Sequence, residues 1–243
     1  MQVSVRVHAQ LRLATHVRAC HCDGQVVLLD LRRNKYLGVG GPHLQALANA
    51  VEGWPRWPEL ETASADPVDI DSLTVQLLAQ GLLTTQPAPR PISATHEEAT
   101  CSLNADDASP RTALDGHRIY RFLASAASAS LRLRFRSLHA IAIDVAARRA
   151  QRVQHAGPAS PEALVDAVGV YQTLRPLIFT AHDRCLHDSL ALAHFLAGEG
   201  LFAQWIIGVR TRPFGAHAWL QRGAVVLSDQ HEYVRQFQPI LVV

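Results

Sequence analysis

Asp183-Arg-Cys-Leu-His-Asp-Ser-Leu-Ala-Leu-Ala-His-Phe-Leu-Ala-Gly198 opens the stretch whose reading decides the fold. Asp183 is an N-cap by residue type, Gly198 is a stop signal, and the sequence between them has no breaker, so a helix over Arg184 to Ala197 is expected. Phe202 to Val209, Ala216 to Leu220 and Ala224 to Ser228 then read as strands, with Ile240 to Val243 as a further one. Upstream, Ser160 before Pro161 launches a helix from Glu162 to Leu174. Arg118 to Gln154 is also helix-like, although Leu131-Arg-Leu-Arg-Phe-Arg136 alternates with period two and leaves that piece ambiguous. Helices first and an antiparallel sheet afterwards describe an α+β domain.

The rest of the chain places that domain in context. At 243 residues there is enough chain for one large domain or two small ones. Apolar residues make up 48% and charged residues 18%, an ordinary globular balance. No apolar run approaches the roughly 20 residues that span a bilayer, so a membrane protein is not expected. Val3, Val5 and Val7 alternate with polar residues as a strand does and form no apolar block of the secretion-signal kind, which makes a cytoplasmic protein the expectation. The net charge is +2 with charges mixed along the chain, and nothing favours nucleic acid as a partner. Cys20, Cys22, Cys101 and Cys185 are too few and too uneven for a disulfide framework and are expected as thiols.

Thr84 to Asp115 is rich in Pro, Ala, Ser, Thr and Asp and nearly free of large apolar residues. It reads as a linker (84–115) between an N-terminal module (1–83) and a C-terminal one (116–243). In the first module Gln25 to Leu31 and Lys35 to Val39 flank the polar turn Arg32-Arg33-Asn34, which predicts a β-hairpin. Gly40-Gly41 ends it, and Pro42, Leu44, Leu47, Ala48 and Val51 predict an amphipathic helix up to Gly53. Leu73, Leu77 and Leu78 predict another, capped by Asp69 or Asp71 and stopped at Gly81.

Cys185 near a helix start stands where unpaired backbone N–H groups and the helix dipole favour a thiolate. His217 on the next-but-one element and Asp229 after it complete a Cys, His, acid order. Taken singly each has a plainer reading: a small buried hydrophobe, a core histidine, a turn former. Strand parity bears on whether the last two meet. A two-residue turn at Arg222-Gly223 would set His217 opposite Ser228 and send Asp229 to the other face. A three-residue loop, Gln221-Arg222-Gly223, would pair Leu220 with Ala224 and bring Asp229 diagonally beside His217, roughly 7 Å along the backbone. The three-residue loop is the one expected. Asp183 and His187 lie one helical turn apart, but no further His or Cys pair converges on them, and Cys20-His21-Cys22 alternates between strand faces, so no metal and no cofactor is expected. Arg132, Arg134 and Arg136 read as a solvated face.

With these residues on the page, the chain resembles the lasso-peptide leader peptidases, the transglutaminase-like cysteine peptidases of lasso-peptide biosynthesis. The likeness runs through Arg184-Cys-Leu-His-Asp-Ser-Leu-Ala-Leu192, Ile206-Ile-Gly-Val209, Pro213-Phe214, His217-Ala-Trp219, Val226-Leu-Ser-Asp229 and Phe237-Gln-Pro-Ile240. It implies Cys185 as nucleophile, His217 as base and Asp229 as the residue that orients it, with Ser228 where many relatives carry Asn. Val27-Leu-Leu-Asp30, Tyr36-Leu37, the helix from Pro42 and Gln80-Gly-Leu-Leu83 resemble the small winged-helix-like peptide-recognition domain fused to such peptidases. There a leader peptide adds to a sheet edge, which implies Tyr36, Leu37, Leu73 and Leu77 as leader contacts. The activity so implied is cleavage of a precursor's leader from its core, with a separate ATP-dependent, asparagine-synthetase-like cyclase as partner. A leader-binding chaperone without catalysis, and a transglutaminase-type amide transferase, are the alternatives.

Overall fold

The computed structural model describes residues 10–41, 43–57, 70–87, 95–103, 114–155, 160–179 and 184–243. The chain divides into two compact units, 1–91 and 92–243.

In the first unit, β1 (Leu11–Leu13), β2 (Val17–Cys22), β3 (Gln25–Asp30) and β4 (Lys35–Val39) precede α1 (His43–Ala50), β5 (Val51–Glu52), α2 (Ile70–Ala79) and β6 (Leu83–Thr84). The expected hairpin is present as β3 and β4, Leu28 opposite Leu37, and its polar turn is closed by Asp30, whose carboxylate accepts from the Arg32 and Arg33 N–H groups. β2 joins on the other side of β3, giving the order β2-β3-β4, while β1 lies between β5 and β6 in a second small sheet. The strand implied at Cys20-His21-Cys22 is present and extends back to Val17, paired along its length to β3. Val17, Val26 and Leu28 from one sheet face, Leu44, Leu47 and Ala48 from α1, and Leu77 from α2 share one core. Each such aliphatic side chain contributes roughly 1.5–3 kcal/mol by leaving water. The expected strand at Val3 to Val7, and Pro42 and Asp69, lie outside the described residues.

The second unit holds β7 (Cys101–Ser102), α3 (Gly116–Phe135), α4 (Leu138–His155), α5 (Pro161–Leu174), a 3₁₀ turn (Arg175–Leu177), α6 (Cys185–Gly198), β8 (Gln204–Thr211), β9 (Phe214–Arg222), β10 (Val225–Val226), α7 (His231–Val234) and β11 (Gln238–Val242). The ambiguous Leu131 to Arg136 is helical up to Phe135. The sheet order is β11-β8-β9-β10-β7, antiparallel except for the edge pair β10/β7. Phe122 of α3, Tyr171 of α5 and Phe195 of α6 pack ring against ring, with centroids 5.3 and 5.7 Å apart. The Trp205 indole of β8 donates to Ser189 Oγ of α6 at 3.0 Å, tying helix to sheet. Among the described residues no helix is long and apolar enough to cross a membrane. The molecule is thus the expected α+β chain, a small sheet-and-helix unit followed by helices and an antiparallel sheet.

The stretch read as a linker is not a linker throughout. Residues 95–103 run along the second unit: Thr100 and Leu103 N–H groups bond to the Ala224 and Val226 carbonyls. Gln204 and Gln221 amides donate to the carbonyls of Thr95 and Glu97, and Ala99 is buried beside Trp219 and Val226. Small polar residues hid this strap, because it is held through its backbone and by one buried Ala rather than by an apolar pattern. A chain cut to residues 116–243 is therefore expected to melt several degrees below one cut to residues 92–243, having lost β7 and left the Gln221 amide, 1% exposed, without the Glu97 carbonyl. Thermal unfolding of the two fragments checks this.

Candidate active site

α6 begins at Cys185 itself, with Arg184 as N-cap residue and no side-chain cap bond. The expected Asp183 cap lies outside the described residues, and Cys185 is the first helical residue rather than the second or third. That places the sulfur at the open helix end. The backbone N–H groups of Leu186 and Ala218 and the ring of His217 hydrogen-bond to it. Burial pushes the thiol up, but these bonds and the His217 charge outweigh it and hold the Cys185 pKa below the ordinary thiol value.

His217 stands at mid-strand in β9, opposite Gly208 of β8, and is 8% exposed. Its Nε2 lies 2.8 Å from Asp229 Oδ2, which leaves Nδ1 as the ring nitrogen for Cys185. Burial would lower its pKa, yet the bonds to Asp229 and Cys185 and the charges of both raise it to about 9. Asp229 moves the other way: burial raises it, but the bond to His217 and the Gln230 N–H, 2.8 Å from Oδ1, lead the contributions that hold its pKa below the usual carboxylate value. Each shift favours the ion pair over the neutral pair. Trp219, Tyr233 and Phe237 surround the imidazole at 5.0 to 6.1 Å between centroids, a setting of ring faces and edges that suits a buried cation.

The hairpin that carries His217 and Asp229 departs from the expected register. Arg222 pairs Val225 and Gln221 pairs Val226, so the loop has two residues, Gly223-Ala224, with Gly223 at φ +58°. A glycine in that conformation at the first loop position is the type II′ pattern, whose twist matches the strands better than a three-residue loop centred on Arg222. Continued as a ladder, this register would set Asp229 opposite Ala218 and off the His217 face. The ladder stops first. Leu227 N–H still reaches the Leu220 carbonyl, but Leu220 N–H is taken by Ser228 Oγ at 3.0 Å. A side chain replaces the next backbone acceptor, the chain bends, and Asp229 comes round to His217.

Gly208 makes room for this arrangement. A Cβ there would stand 2.8 Å from Phe237 Cβ and 2.9 Å from two ring atoms of Trp219. Gly208→Ala is expected to destabilise the protein by about 1–3 kcal/mol, the usual overpacking cost, and to displace two rings that enclose His217. The melting midpoint and the site's pH profile read the two effects separately.

Cys185, His217 and Asp229 open together onto a cleft of about 740 Å³, whose other walls include Leu103, Phe179, Leu227 and Tyr233. Arg175, Asp188 and Gln172 also face it, and sequence reading missed them as a group. Asp188 carried a legible signal, a carboxylate three residues after Cys185 on the side of the helix that goes inside; it is 6% exposed. Arg175 carried none, lying in a turn that joins α6 only through space.

The candidate leader contacts sit in the first unit. Leu37 on β4 is 37% exposed and Tyr36 is partly so, at the end of the sheet order. Leu73 packs partly buried against the core, and Leu77 is 1% exposed within it. Leu77 therefore offers a leader no surface; its position on the inner face of α2 makes it core.

Residues 123–242 match the transglutaminase-like superfamily. The match lies within the C-terminal unit and covers just under half of the chain. Over 45 residues, 18% of its length, the chain is 42% identical to the microcin J25-processing protein McjB of Escherichia coli. The matched stretch spans about a fifth of that relative's length, 22%. No solved structure matches the chain. In the second unit the arrangement described above can do acyl-transfer chemistry: a sulfur nucleophile, a nitrogen base behind it and a carboxylate behind the base.

Proposed function

We propose that the chain is a cysteine peptidase that removes the leader from a ribosomally made lasso-peptide precursor. The observation that carries this reading is the alignment of Cys185, His217 and Asp229 on one open cleft, with all three groups shifted toward thiolate, imidazolium and carboxylate. The motifs that resemble those of lasso-peptide leader peptidases, and the stretch shared with a protein named for processing microcin J25, support this substrate class.

In this mechanism the Cys185 thiolate attacks the carbonyl carbon of the leader/core bond. His217 gives its proton to the leaving amine, which frees the core and leaves the leader as a thioester on Cys185. His217 then takes a proton from water, the resulting hydroxide attacks the thioester, and the leader departs as a carboxylate while the thiolate returns. The first unit holds the leader as an added strand beside β4, where Tyr36 and Leu37 are accessible. A leader so held presents its scissile bond at an effective concentration in the millimolar range. The freed core amine is what a separate ATP-dependent cyclase requires for macrolactam closure.

Mass spectrometry of the precursor from the neighbouring reading frame, incubated with the protein, is the test. Release of an intact leader carrying a free carboxylate is expected. A product in which an added amine replaces that carboxylate would establish amide transfer in its place. An intact precursor that stays bound would leave leader delivery as the function.

A further inference from the structure

Among the described residues Asp229 and Asp188 are the two carboxylates on the cleft wall, and both are committed: Asp229 to His217, Asp188 to Tyr171 and Arg175. The Tyr171 hydroxyl donates to Asp188 Oδ1 at 2.9 Å and Arg175 Nε donates to Oδ2 at 2.6 Å. Arg175 is different in kind. Among the described residues only Nε is used; the side chain is 40% exposed and lines the cleft, so its two terminal amino groups face a partner there. Arg175 shares the cleft wall with Cys185, His217 and Asp229, and its charge acts on Asp229 as well as on Asp188. A purely structural arginine would spend its fork on the protein; this one is anchored by its inner nitrogen and open at its end, the planar geometry that takes a carboxylate by two parallel bonds.

We propose that Arg175, held in place by Asp188 and Tyr171, binds a carboxylate of the peptide substrate beside Cys185. This rests on the reading of Cys185 as the cleft's nucleophile and adds a preference to it: peptides that place an acidic side chain or a free C-terminus at this wall are favoured over neutral ones. The buried Asp188 fixes the guanidinium from behind and balances its charge, so selectivity comes from the two directed bonds as well as from attraction.

The test uses the full chain and two thiol alkylators of similar size, anionic iodoacetate and neutral iodoacetamide, with mass mapping to follow Cys185 apart from the other three cysteines. Arg175→Gln is expected to lower the iodoacetate rate about ten-fold relative to the iodoacetamide rate, as loss of a positive charge on the wall of the same cleft predicts. An unchanged ratio, within two-fold, would overturn the proposal. A melting curve checks that Arg175→Gln is folded. Should it not fold, the wild type still decides: acetyl-Ala-Asp-Ala-amide or acetyl-Ala-Ala-Ala with a free C-terminus should slow iodoacetamide alkylation where acetyl-Ala-Asn-Ala-amide does not. The first peptide acting alone identifies a side-chain carboxylate and the second a C-terminal one, whereas equal effects of all three count against the proposal. If neither reagent modifies Cys185, the nucleophile reading itself falls, and the proposal with it.

Discussion

Cys185→Ala is expected to reduce leader cleavage by about 10⁴-fold or more, since removing the nucleophile of a catalytic set abolishes the covalent route and leaves only binding and field effects. The loss should fall on kcat, with leader affinity unchanged within a few-fold, because the contacts assigned to the leader lie in the first unit on β4. Far-UV circular dichroism and the melting midpoint should stay close to wild type, since Cys185 is only half-buried and its sulfur makes no bond that the core depends on. Single-turnover cleavage followed by mass spectrometry, with leader binding measured in parallel, separates the two effects. Retained cleavage by the alanine variant would remove Cys185 from the mechanism altogether.

How much of this was legible beforehand depended on whether the controlling interaction was local. The α6 helix, the β8 and β9 strands and the order Cys185, His217, Asp229 follow from residue type and period, and they are present. The expected register of the β9/β10 hairpin is not, although its conclusion, His217 beside Asp229, holds. That conclusion was reached through a three-residue loop and an unbroken ladder. The molecule reaches it with two loop residues and a ladder ended by Ser228 Oγ. A serine side chain taking a backbone acceptor's place is a tertiary event with no periodic signature. Ser228 is thus not idle, because its hydroxyl takes the Leu220 N–H and turns the chain that delivers Asp229.

The strap at residues 95–103 was illegible for a related reason. Its composition is that of a linker, and its hold on the sheet runs through carbonyls that any sequence supplies, met by two glutamines more than a hundred residues away. Leu77 shows the converse limit. An apolar residue at helical spacing reads the same whether its face meets the core or a ligand, and only packing assigned it to the core. Arg175 and Asp188 belong to the same class of hidden feature: an ion pair between a turn and a helix start, 2.6 Å apart in space and thirteen residues apart in sequence.

Asp229→Asn is expected to lower kcat by about 10²- to 10⁴-fold, on the scale seen when the orienting acid of such a set is made neutral. The sign of its pH effect follows from the shifts. His217 is raised to about 9 in the folded protein, first against burial and then by its bonds and charge pairing with Asp229 and Cys185. The Cys185 thiol is raised by burial but lowered overall by its bond to His217, the Ala218 and Leu186 N–H groups and the His217 charge, so thiolate and imidazolium coexist from below the ordinary thiol range up to about pH 9. The two protons belong to the pair rather than to either residue. With asparagine at 229 the imidazolium loses its carboxylate, the pKa falls, and the alkaline limb of the pH–rate profile should move to lower pH with the plateau narrowed. Stability follows the same linkage. A histidine whose folded pKa lies above its unfolded value near 6.5 contributes stabilisation that is complete below about pH 6.5 and lost as pH rises through about 9. The wild type should therefore lose more of its melting midpoint than Asp229→Asn between pH 6.5 and 9, and equal losses in the two proteins would show that Asp229 does not hold the His217 charge.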